Sequence, residues 1–427
     1  MKYLIKNGRV IDPSSKTDET LDILIEAGKI TDLKAKIESK NLKTIDASRL
    51  VVAPGFIDMH VHLREPGQEH KETIETGSLA AAKGGFTSIC AMPNTLPVND
   101  CREVTEYILG QAAKKAMVNI FPIAAITKDL EGAELTDMAD QVSAGAVAFS
   151  DDGIGVQNSQ VMRRAMEYSK FLNALIIDHC EEKSLSEDGI MHEGLSSYKL
   201  GLRGIPAAAE DIMVSRDIIL AESLETRIHI AHLSTKGSVH LVREAKKRKV
   251  KVSAEATPHH LVLTDAYLEN YDANYKVNPP LRGEDDVRAL IQAVKDGTVD
   301  VFATDHAPHA PEEKDAELDK APFGVIGLET AVSIVLDRLV NKNVISLSRF
   351  IEMISTKPAA LLGLKSKGKI AVGGDADLTI LNLHKEIVVD ANAFQSKSRN
   401  SPFLNWKLKG APVMTIVGGR FVYPFSS

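Results

Sequence analysis

The stretch VVAPGFIDMHVHL, residues 51–63, predicts a buried strand that closes on two histidines, His60 and His62. Its apolar and β-branched side chains are typical of a strand covered on both faces. Side chains two residues apart in a strand point to the same side, so the two imidazoles can reach one metal ion. A motif this short also fits two surface histidines, and the remaining sequence has to separate the two interpretations.

Seven more strand candidates follow, with helical patterns between them. The strands are predicted at 51–63, 86–92, 118–125, 145–150, 173–179, 227–232, 250–255 and 300–305. The helices are predicted at 71–83, 102–115, 134–143, 159–171, 207–223, 235–248, 284–295, 327–340 and 348–355. Alternating strands and helices are typical of parallel βαβ units. Eight such units over about 300 residues favour an α/β fold of the (β/α)8 TIM-barrel type. A doubly wound sheet is the second interpretation, because it usually has fewer strands.

The two ends of the chain have a different pattern, with short apolar runs separated by Gly and Asn turns. This pattern predicts a small β-sandwich domain to which both ends contribute. We therefore expect residues 1–53 and 364–427 to form the sandwich and residues 54–363 to form the barrel.

The composition is that of an ordinary globular protein, with 427 residues, 44% hydrophobic and 26% charged. A net charge of −7 gives no basic surface for nucleic acid. No apolar run is long enough to span a membrane, and three cysteines are too few for a disulfide framework. These features predict a cytoplasmic protein that binds neither nucleic acid nor membrane.

Further candidate metal ligands stand at the ends of other predicted strands. Asp151-Asp152 closes the fourth strand, His179 the fifth, His232 the sixth and Asp305 the eighth. In a barrel these ends converge on one face. Imidazoles with carboxylates suit zinc, and six ligands suit two ions bridged by a carboxylate, for which both Asp151 and Asp152 are candidates.

Two features near these ligands have alternative explanations. Cys180, next to His179, is either a small buried residue or a thiolate that can compete for the metal. The segment 307–323, after the eighth strand, is either a solvated insertion or a loop whose 310–323 part closes over a substrate.

Five motifs resemble those of dihydroorotases in the amidohydrolase superfamily. They are DMHVHLREPG at 58–67, AMPNT at 91–95, VNPPLR at 277–282, ATDHAPH at 303–309 and APFG at 321–324. The segment GGDADL at 373–378 resembles the C-terminal sandwich motif of the same superfamily. The motifs span essentially the whole chain in the expected order.

The resemblance implies a zinc enzyme that interconverts N-carbamoyl-L-aspartate and (S)-dihydroorotate, the third step of de novo pyrimidine synthesis. A metal-bound hydroxide would attack the ring amide, with Asp305 as general base and then acid. The implied metal ligands are His60, His62, Asp152, His179, His232 and Asp305, which would hold two Zn²⁺ ions. The implied substrate contacts are Arg64, Asn94, Asn278, His309, Pro322 and Gly324, with Arg64 supplying the cation for a ring carboxylate.

The predicted fourth strand, GAVAFSDD at 145–152, contains no lysine. Many relatives, including hydantoinases and allantoinases, bridge their metals with a carboxylated lysine on this strand. An aspartate bridge, here Asp152, is the pattern of long-chain bacterial-type dihydroorotases.

Two alternative functions and two partners stay open. A hydantoinase- or allantoinase-type cyclic amidase would keep the metals but lack the cation, so Arg64 argues against it. A catalytically dead homologue serving aspartate transcarbamoylase would have lost metal ligands, whereas all six are present here. Homodimerisation and a complex of the active enzyme with aspartate transcarbamoylase are the associations that we consider.

Overall fold

The computed structural model describes residues 2–38 and 42–424. Most of its strands belong to two eight-stranded sheets. The strands, in chain order, are β1 (Lys2–Asp12), β2 (Thr17–Glu26), β3 (Lys29–Lys34), β4 (Lys43–Asp46), β5 (Val51–Pro54), β6 (Phe56–Val61), β7 (Phe86–Ala91), β8 (Asn119–Ala124), β9 (Ala148–Phe149), β10 (Leu175–Asp178), β11 (Met191–His192), β12 (Gly204–Ile205), β13 (Ile228–Ile230), β14 (Val252–Ala256), β15 (Val301–Phe302), β16 (Leu378–Val388), β17 (Lys407–Val417) and β18 (Arg420–Tyr423).

Strands β6 to β10 and β13 to β15 form a parallel, nearly closed barrel in chain order. The gap between β15 and β6 is narrowed by a parallel bridge between His306 and Val61. In that bridge the His62 backbone N–H donates to the His306 carbonyl at 2.9 Å. The predicted barrel is therefore confirmed.

Helices follow most barrel strands, and shorter helices lie within the connections between them. They are α1 (Ile74–Gly84), α2 (Arg102–Lys115), α3 (Met138–Ala144), α4 (Ser159–Leu172), α5 (Lys183–Ser186), α6 (Leu195–Leu200), α7 (Ala208–Leu224), α8 (Lys236–Lys247), α9 (Pro258–Val262), α10 (Glu284–Asp296), α11 (Pro311–Lys314), α12 (Ala331–Val335), α13 (Leu347–Ile351) and α14 (Lys357–Leu361). None of the helices in residues 2–38 and 42–424 is long and apolar enough to cross a membrane.

Both ends of the chain build the second sheet, in the order β18-β17-β16-β5-β1-β2-β3, with β4 beside β1. The N-terminal and C-terminal parts meet where β5 pairs antiparallel with β16. Tyr3, Ile23, Val52, Leu378 and Ile416 belong to an apolar cluster that this sheet buries. The sheet thus unites the two ends as expected.

The prediction of one continuous strand over 51–63 is wrong. The chain crosses from the terminal sheet to the barrel at Gly55, between β5 and β6. A Cβ atom at Gly55 would lie 2.1 Å from Thr87 Oγ1, so only glycine allows this close passage. An unbroken apolar run could not reveal that its two halves pair with different sheets.

The amino-terminal ends of the barrel strands are packed with apolar side chains. Phe56, at the start of β6, packs edge-on against Phe86 of β7 and Phe350 of α13, with ring centroids 6.5 and 5.7 Å apart. Because all barrel strands are parallel, the polar ends of β6, β10 and β13 lie at the opposite face.

Candidate metal centre and substrate cavity

All six predicted ligands meet at the carboxyl-terminal face of the barrel. His60 lies in β6, and the other five follow β6, β9, β10, β13 and β15 within a few residues. Each of the six is buried. The convergence that the sequence predicted from strand ends is therefore present in the structure.

Asp152 and Asp151 have different environments, which separates the two bridging candidates. Asp151 accepts hydrogen bonds from the backbone N–H groups of Ile126 and Thr127 at 2.8 and 3.0 Å, and from the Thr127 hydroxyl. Asp151 thus holds the loop after β8.

Asp152 instead lies at the centre of the imidazoles. Its carboxylate oxygens are 3.2 Å from His60 Nε2, 3.4 Å from His62 Nε2, 3.7 Å from His232 Nε2 and 3.8 Å from His179 Nδ1. Of the two aspartates, Asp152 is therefore the one that faces the imidazole cluster.

Asp305 completes the cluster on the side of β6. Its Oδ1 atom lies 3.2 Å from His62 Nε2 and 3.5 Å from His60 Nε2. Burial opposes ionisation of Asp152 and Asp305, but His60 and its neighbours, which carry protons when no metal takes their place, hold the pKa of both carboxyls well below its ordinary value. Both groups are therefore anionic at neutral pH.

Three of the four imidazoles turn their outer nitrogen to an oxygen acceptor. His60 Nδ1 contacts Glu255 Oε1 at 2.7 Å, His62 Nδ1 contacts Asn94 Oδ1 at 2.8 Å, and His179 Nε2 contacts Glu181 Oε2 at 2.9 Å. An outer N–H that donates to oxygen leaves the inner nitrogen with its lone pair facing the cluster. Metal-ligating histidines are commonly held in this way.

The inner atoms of the cluster fit a divalent metal. His60 Nε2 and Asp152 Oδ1 are buried and lie 3.2 Å apart, but neither makes a hydrogen bond of good geometry with any described residue, although buried polar atoms are almost always paired. His179 Nδ1 and His232 Nε2 approach each other to 2.9 Å. Within this cluster, two groups of donor atoms are close enough to hold an ion, namely His60 with His62 and Asp305, and His60 with Asp152 and His232. Neutral imidazoles with carboxylates are the donor set that zinc prefers.

Two glutamates that hold these imidazoles were not predicted from the sequence. Glu255 lies inside β14 and contacts His60, His229 and the backbone N–H of His232. Glu255 closes the predicted strand 250–255, so the strand-end pattern that singled out the ligands would have found it. Glu181 follows His179 by two residues, so the same-side rule applied to His60 and His62 would have found it.

The Cys180 side chain points away from the six candidate metal ligands. Its Sγ atom lies 3.6 Å from Asp178 Oδ2 and from Asp217 Oδ2, and burial raises the pKa of the thiol well above its ordinary value. Of the two interpretations of Cys180, this geometry favours the small buried residue.

A cavity of about 160 Å³ opens beside the cluster. Four of the six predicted substrate contacts face it. The lining residues are His62, Arg64, Asn94, Asp152, Gly153, His179, His232, Asn278, Asp305, Ala307, Phe323 and Gly324. His309 and Pro322 are absent from this lining and belong to the loop next to it.

Arg64 brings a buried positive charge to the cavity. It is 8% exposed, and its Nε atom donates to the Pro308 carbonyl at 3.2 Å. Burial lowers the pKa of Arg64 to about 10, while the carboxylates of Asp305 and Asp152 oppose that shift. The guanidinium therefore stays charged at neutral pH, which suits an anionic ligand.

The loop after Asp305 is folded against the barrel. His309 Nε2 donates to the Phe323 carbonyl at 2.8 Å. The Lys314 ammonium donates to the carbonyls of Pro322 and Gly324 at 2.9 and 3.0 Å. Gly324 has φ of 126°, and a Cβ atom there would lie 2.7 Å from that of Ala307, so this position needs glycine.

This fold and this cluster together define a hydrolase of the amidohydrolase class. Residues 327–423 match the family model described as amidohydrolase family, and residues 48–238 match the one described as dihydro-orotase-like. The chain is 49% identical over 423 residues to the dihydroorotase of Bacillus cereus strain AH820, covering 99% of this chain and 98% of that protein. The dihydroorotase of Bacillus thuringiensis strain Al Hakam matches with the same identity and coverage. The chain belongs to the dihydroorotase family.

Solved structures of the wider class have the same fold. L-hydantoinase (dihydropyrimidinase) from Arthrobacter aurescens superimposes with a TM-score of 0.89 at 28% identity, covering 99% of this chain and 96% of that one. D-hydantoinase (dihydropyrimidinase) from a Thermus species gives 0.84 at 27% identity, covering 98% and 94%.

Proposed function

We propose that the protein is a dihydroorotase that closes N-carbamoyl-L-aspartate to (S)-dihydroorotate, with release of one water, and catalyses the reverse hydrolysis. The proposal is carried by Arg64, a buried cation on the lining of the cavity that the six ligand candidates border. Dihydroorotate has a carboxylate on ring carbon C6, across the ring from the N3–C4 amide that is hydrolysed. The site thus offers a partner to both ends of this substrate, as a member of the dihydroorotase family requires.

The residues that would hold the metal are His60, His62, Asp152, His179, His232 and Asp305, and we propose two zinc ions, with Asp152 shared between them. When bound, the metal would supply a water that is nucleophilic near neutral pH and would polarise the amide carbonyl. Glu255 and Glu181 keep His60 and His179 in the tautomer that ligation needs.

Asp305 is the proposed proton carrier. In hydrolysis it takes a proton from the attacking water and gives one to the departing ring nitrogen, and in cyclisation it takes the proton of the ureido nitrogen. Its low pKa keeps it in the base form at the start of hydrolysis.

Arg64, Asn94 and Asn278 would orient the substrate. Arg64 binds the ring carboxylate. Asn94 uses its Oδ1 atom on His62, so its Nδ2 atom can donate to the substrate. Asn278 uses its Nδ2 atom on Glu181 at 2.9 Å, so its Oδ1 atom can accept from the substrate. His309, Pro322 and Gly324 would contribute from the loop.

Hydrolysis of dihydroorotate by the purified protein tests the proposal. We expect turnover that disappears after the metal is removed with a chelator and returns when zinc is added. Full activity in protein verified to contain no metal would overturn the proposed role of the ligand cluster.

A panel of cyclic amides separates the proposed activity from that of a hydantoinase or allantoinase. Dihydroorotate, hydantoin and allantoin have a comparable reacting amide, but of the three only dihydroorotate has a ring carboxylate. We expect the wild type to hydrolyse dihydroorotate, and we expect Arg64→Gln to lose most of that activity. Preferential hydrolysis of hydantoin or allantoin would contradict the assignment of Arg64.

Other predictions from the sequence remain part of the proposal. We propose a cytoplasmic enzyme whose barrel unit spans residues 54–363 and whose terminal unit spans 1–53 and 364–427. We further propose that it forms homodimers and binds aspartate transcarbamoylase. Light scattering of the protein alone and mixed with a transcarbamoylase tests both associations.

A further inference from the structure

The segment between β16 and β17, residues 389–406, leaves the terminal sheet and reaches the mouth of the barrel. On its way the Ser396 hydroxyl donates to Glu72, and the Ser398 hydroxyl donates to the Lys71 carbonyl at 2.9 Å. Both acceptors precede α1, at the carboxyl-terminal face of the barrel. The C-terminal part of the chain is therefore anchored beside the substrate cavity.

Asn400, in this segment, is 4% exposed and binds both ends of the loop that follows Asp305. Its Nδ2 atom donates to the Ala307 carbonyl at 3.0 Å and to the Gly324 carbonyl at 3.1 Å. Its Oδ1 atom accepts from the backbone N–H of His309 at 3.3 Å. In addition, the Ile326 backbone N–H donates to the Asn400 carbonyl at 2.9 Å.

One amide side chain thus joins backbone groups that are far apart along the loop. Ala307 and Gly324 both line the cavity, and His309 and Gly324 are proposed substrate contacts. A primary amide suits this position because it combines two N–H donors with one acceptor. Without it, buried backbone groups on both sides of the loop would lose a partner, which is costly in a closed environment.

We propose that Asn400 is a positioning residue for the substrate-binding loop. Its side chain binds the backbone of the loop and is not part of the cavity lining, and it fixes the separation between the His309 end and the Gly324 end of the loop. This inference rests on the proposed function, since it assigns Asn400 a role in binding the same substrate. It also makes a residue outside the predicted barrel unit part of the barrel's active site.

Three variants test the role of Asn400. Asn400→Ala removes all three side-chain hydrogen bonds. Asn400→Asp keeps the shape but places an oxygen against the carbonyls of Ala307 and Gly324. Asn392→Ala is the matched control, because Asn392 is exposed in the same segment and its side-chain Nδ2 donates to Asp390.

We expect both Asn400 variants to raise KM for dihydroorotate by about tenfold or more, with a smaller change in kcat and unchanged metal content. We also expect a glutamyl endopeptidase to cleave the loop, which contains the exposed Glu317, about tenfold faster. Asn392→Ala should behave as the wild type in each measurement. If Asn400 only filled space, Asn400→Asp would have a KM and a cleavage rate close to those of the wild type. If its N–H donors matter, Asn400→Asp will be at least as impaired in both as Asn400→Ala.

A folded Asn400→Asp protein with wild-type KM and wild-type loop cleavage would overturn the proposal. If Asn400→Ala does not fold, the KM and the cleavage rate of the isosteric Asn400→Asp decide whether the proposal holds. If the wild type does not hydrolyse dihydroorotate, the proposed function fails, and the cleavage rates still decide whether Asn400 positions the loop.

Discussion

Asp305 combines two proposed roles, as metal ligand and as proton carrier, and a single substitution can separate them. Asp305→Asn keeps the size of the side chain but cannot accept a proton. We expect kcat to fall by about 10²–10⁴-fold in both directions, the usual contribution of a general acid–base group. Steady-state kinetics with parallel metal analysis measures the effect. Asp315→Asn, at an exposed site on the same loop, should retain full activity, and retained turnover in metal-loaded Asp305→Asn would contradict the role.

Substitution of Glu181 tests whether the oxygen acceptors that bind the outer imidazole nitrogens contribute to metal affinity. Glu181→Gln weakens the acceptor for His179 Nε2, and such changes typically lower metal affinity by about 10–100-fold. We expect faster loss of zinc to a competing chelator, measured directly rather than through activity. Exchanging the exposed Glu187 for Gln provides the comparison. Equal rates of zinc loss in the two variants would rule out the orienting role of Glu181.

His309 should make the protein more sensitive to acid. Burial, with the charges of Arg64, Lys314 and Lys71, lowers the pKa of His309 to about 3, against the effect of Glu313. The unfolded chain therefore binds the proton first as the pH falls below about 6.5, so this histidine costs stability progressively towards pH 3. We expect the free energy of unfolding of His309→Gln to decline less than that of the wild type between pH 7 and 5. Urea titrations at several pH values measure the difference, and parallel curves would exclude the contribution.

At the scale of elements, the loop after β15 depends on lysines that bind its carbonyls. Lys276 is buried, and its ammonium donates to the carbonyls of Leu318 and Ala321 at 2.7 and 2.6 Å. We expect Lys276→Met to loosen the loop, which a glutamyl endopeptidase would reveal as faster cleavage. Lys342→Met is the control, because Lys342 is exposed and lies outside the loop. Unchanged cleavage in Lys276→Met would contradict the role of these contacts.

At the scale of the whole molecule, the proposed metal would tie together distant parts of the barrel. Its ligands come from β6 and from the segments after β6, β9, β10, β13 and β15, which the unfolded chain cannot hold in place. Binding to the folded state alone adds about 2.7 kcal/mol of stability when the free metal is at 100 times its Kd. We expect Tm to fall on chelation and to return with zinc, as calorimetry can measure. An unchanged Tm would argue against a metal that links the strands.

The sequence by itself predicts the barrel and the face of the barrel on which the candidate metal ligands lie. Eight alternating units set the architecture, and the carboxyl ends of parallel strands must share one face, so His60, His179 and Asp305 could be brought together without coordinates. The prediction fails where local pattern is uninformative. Residues 51–63 have one continuous strand-like pattern, yet the chain passes from one sheet to the other at Gly55.

Strand spacing leaves Asp151 and Asp152 equivalent, and only the family resemblance implies Asp152. The tertiary structure adds their surroundings, since Asp151 accepts from the loop after β8 and Asp152 faces the imidazoles. It also brings Asn400 to the loop after Asp305. That contact joins residues far apart in the chain, and the helix and strand periodicities of the sequence cannot predict such a pairing. Strand and helix patterns are local and therefore readable in sequence, whereas hydrogen bonds between distant segments exist only once the barrel and the terminal sheet have packed together.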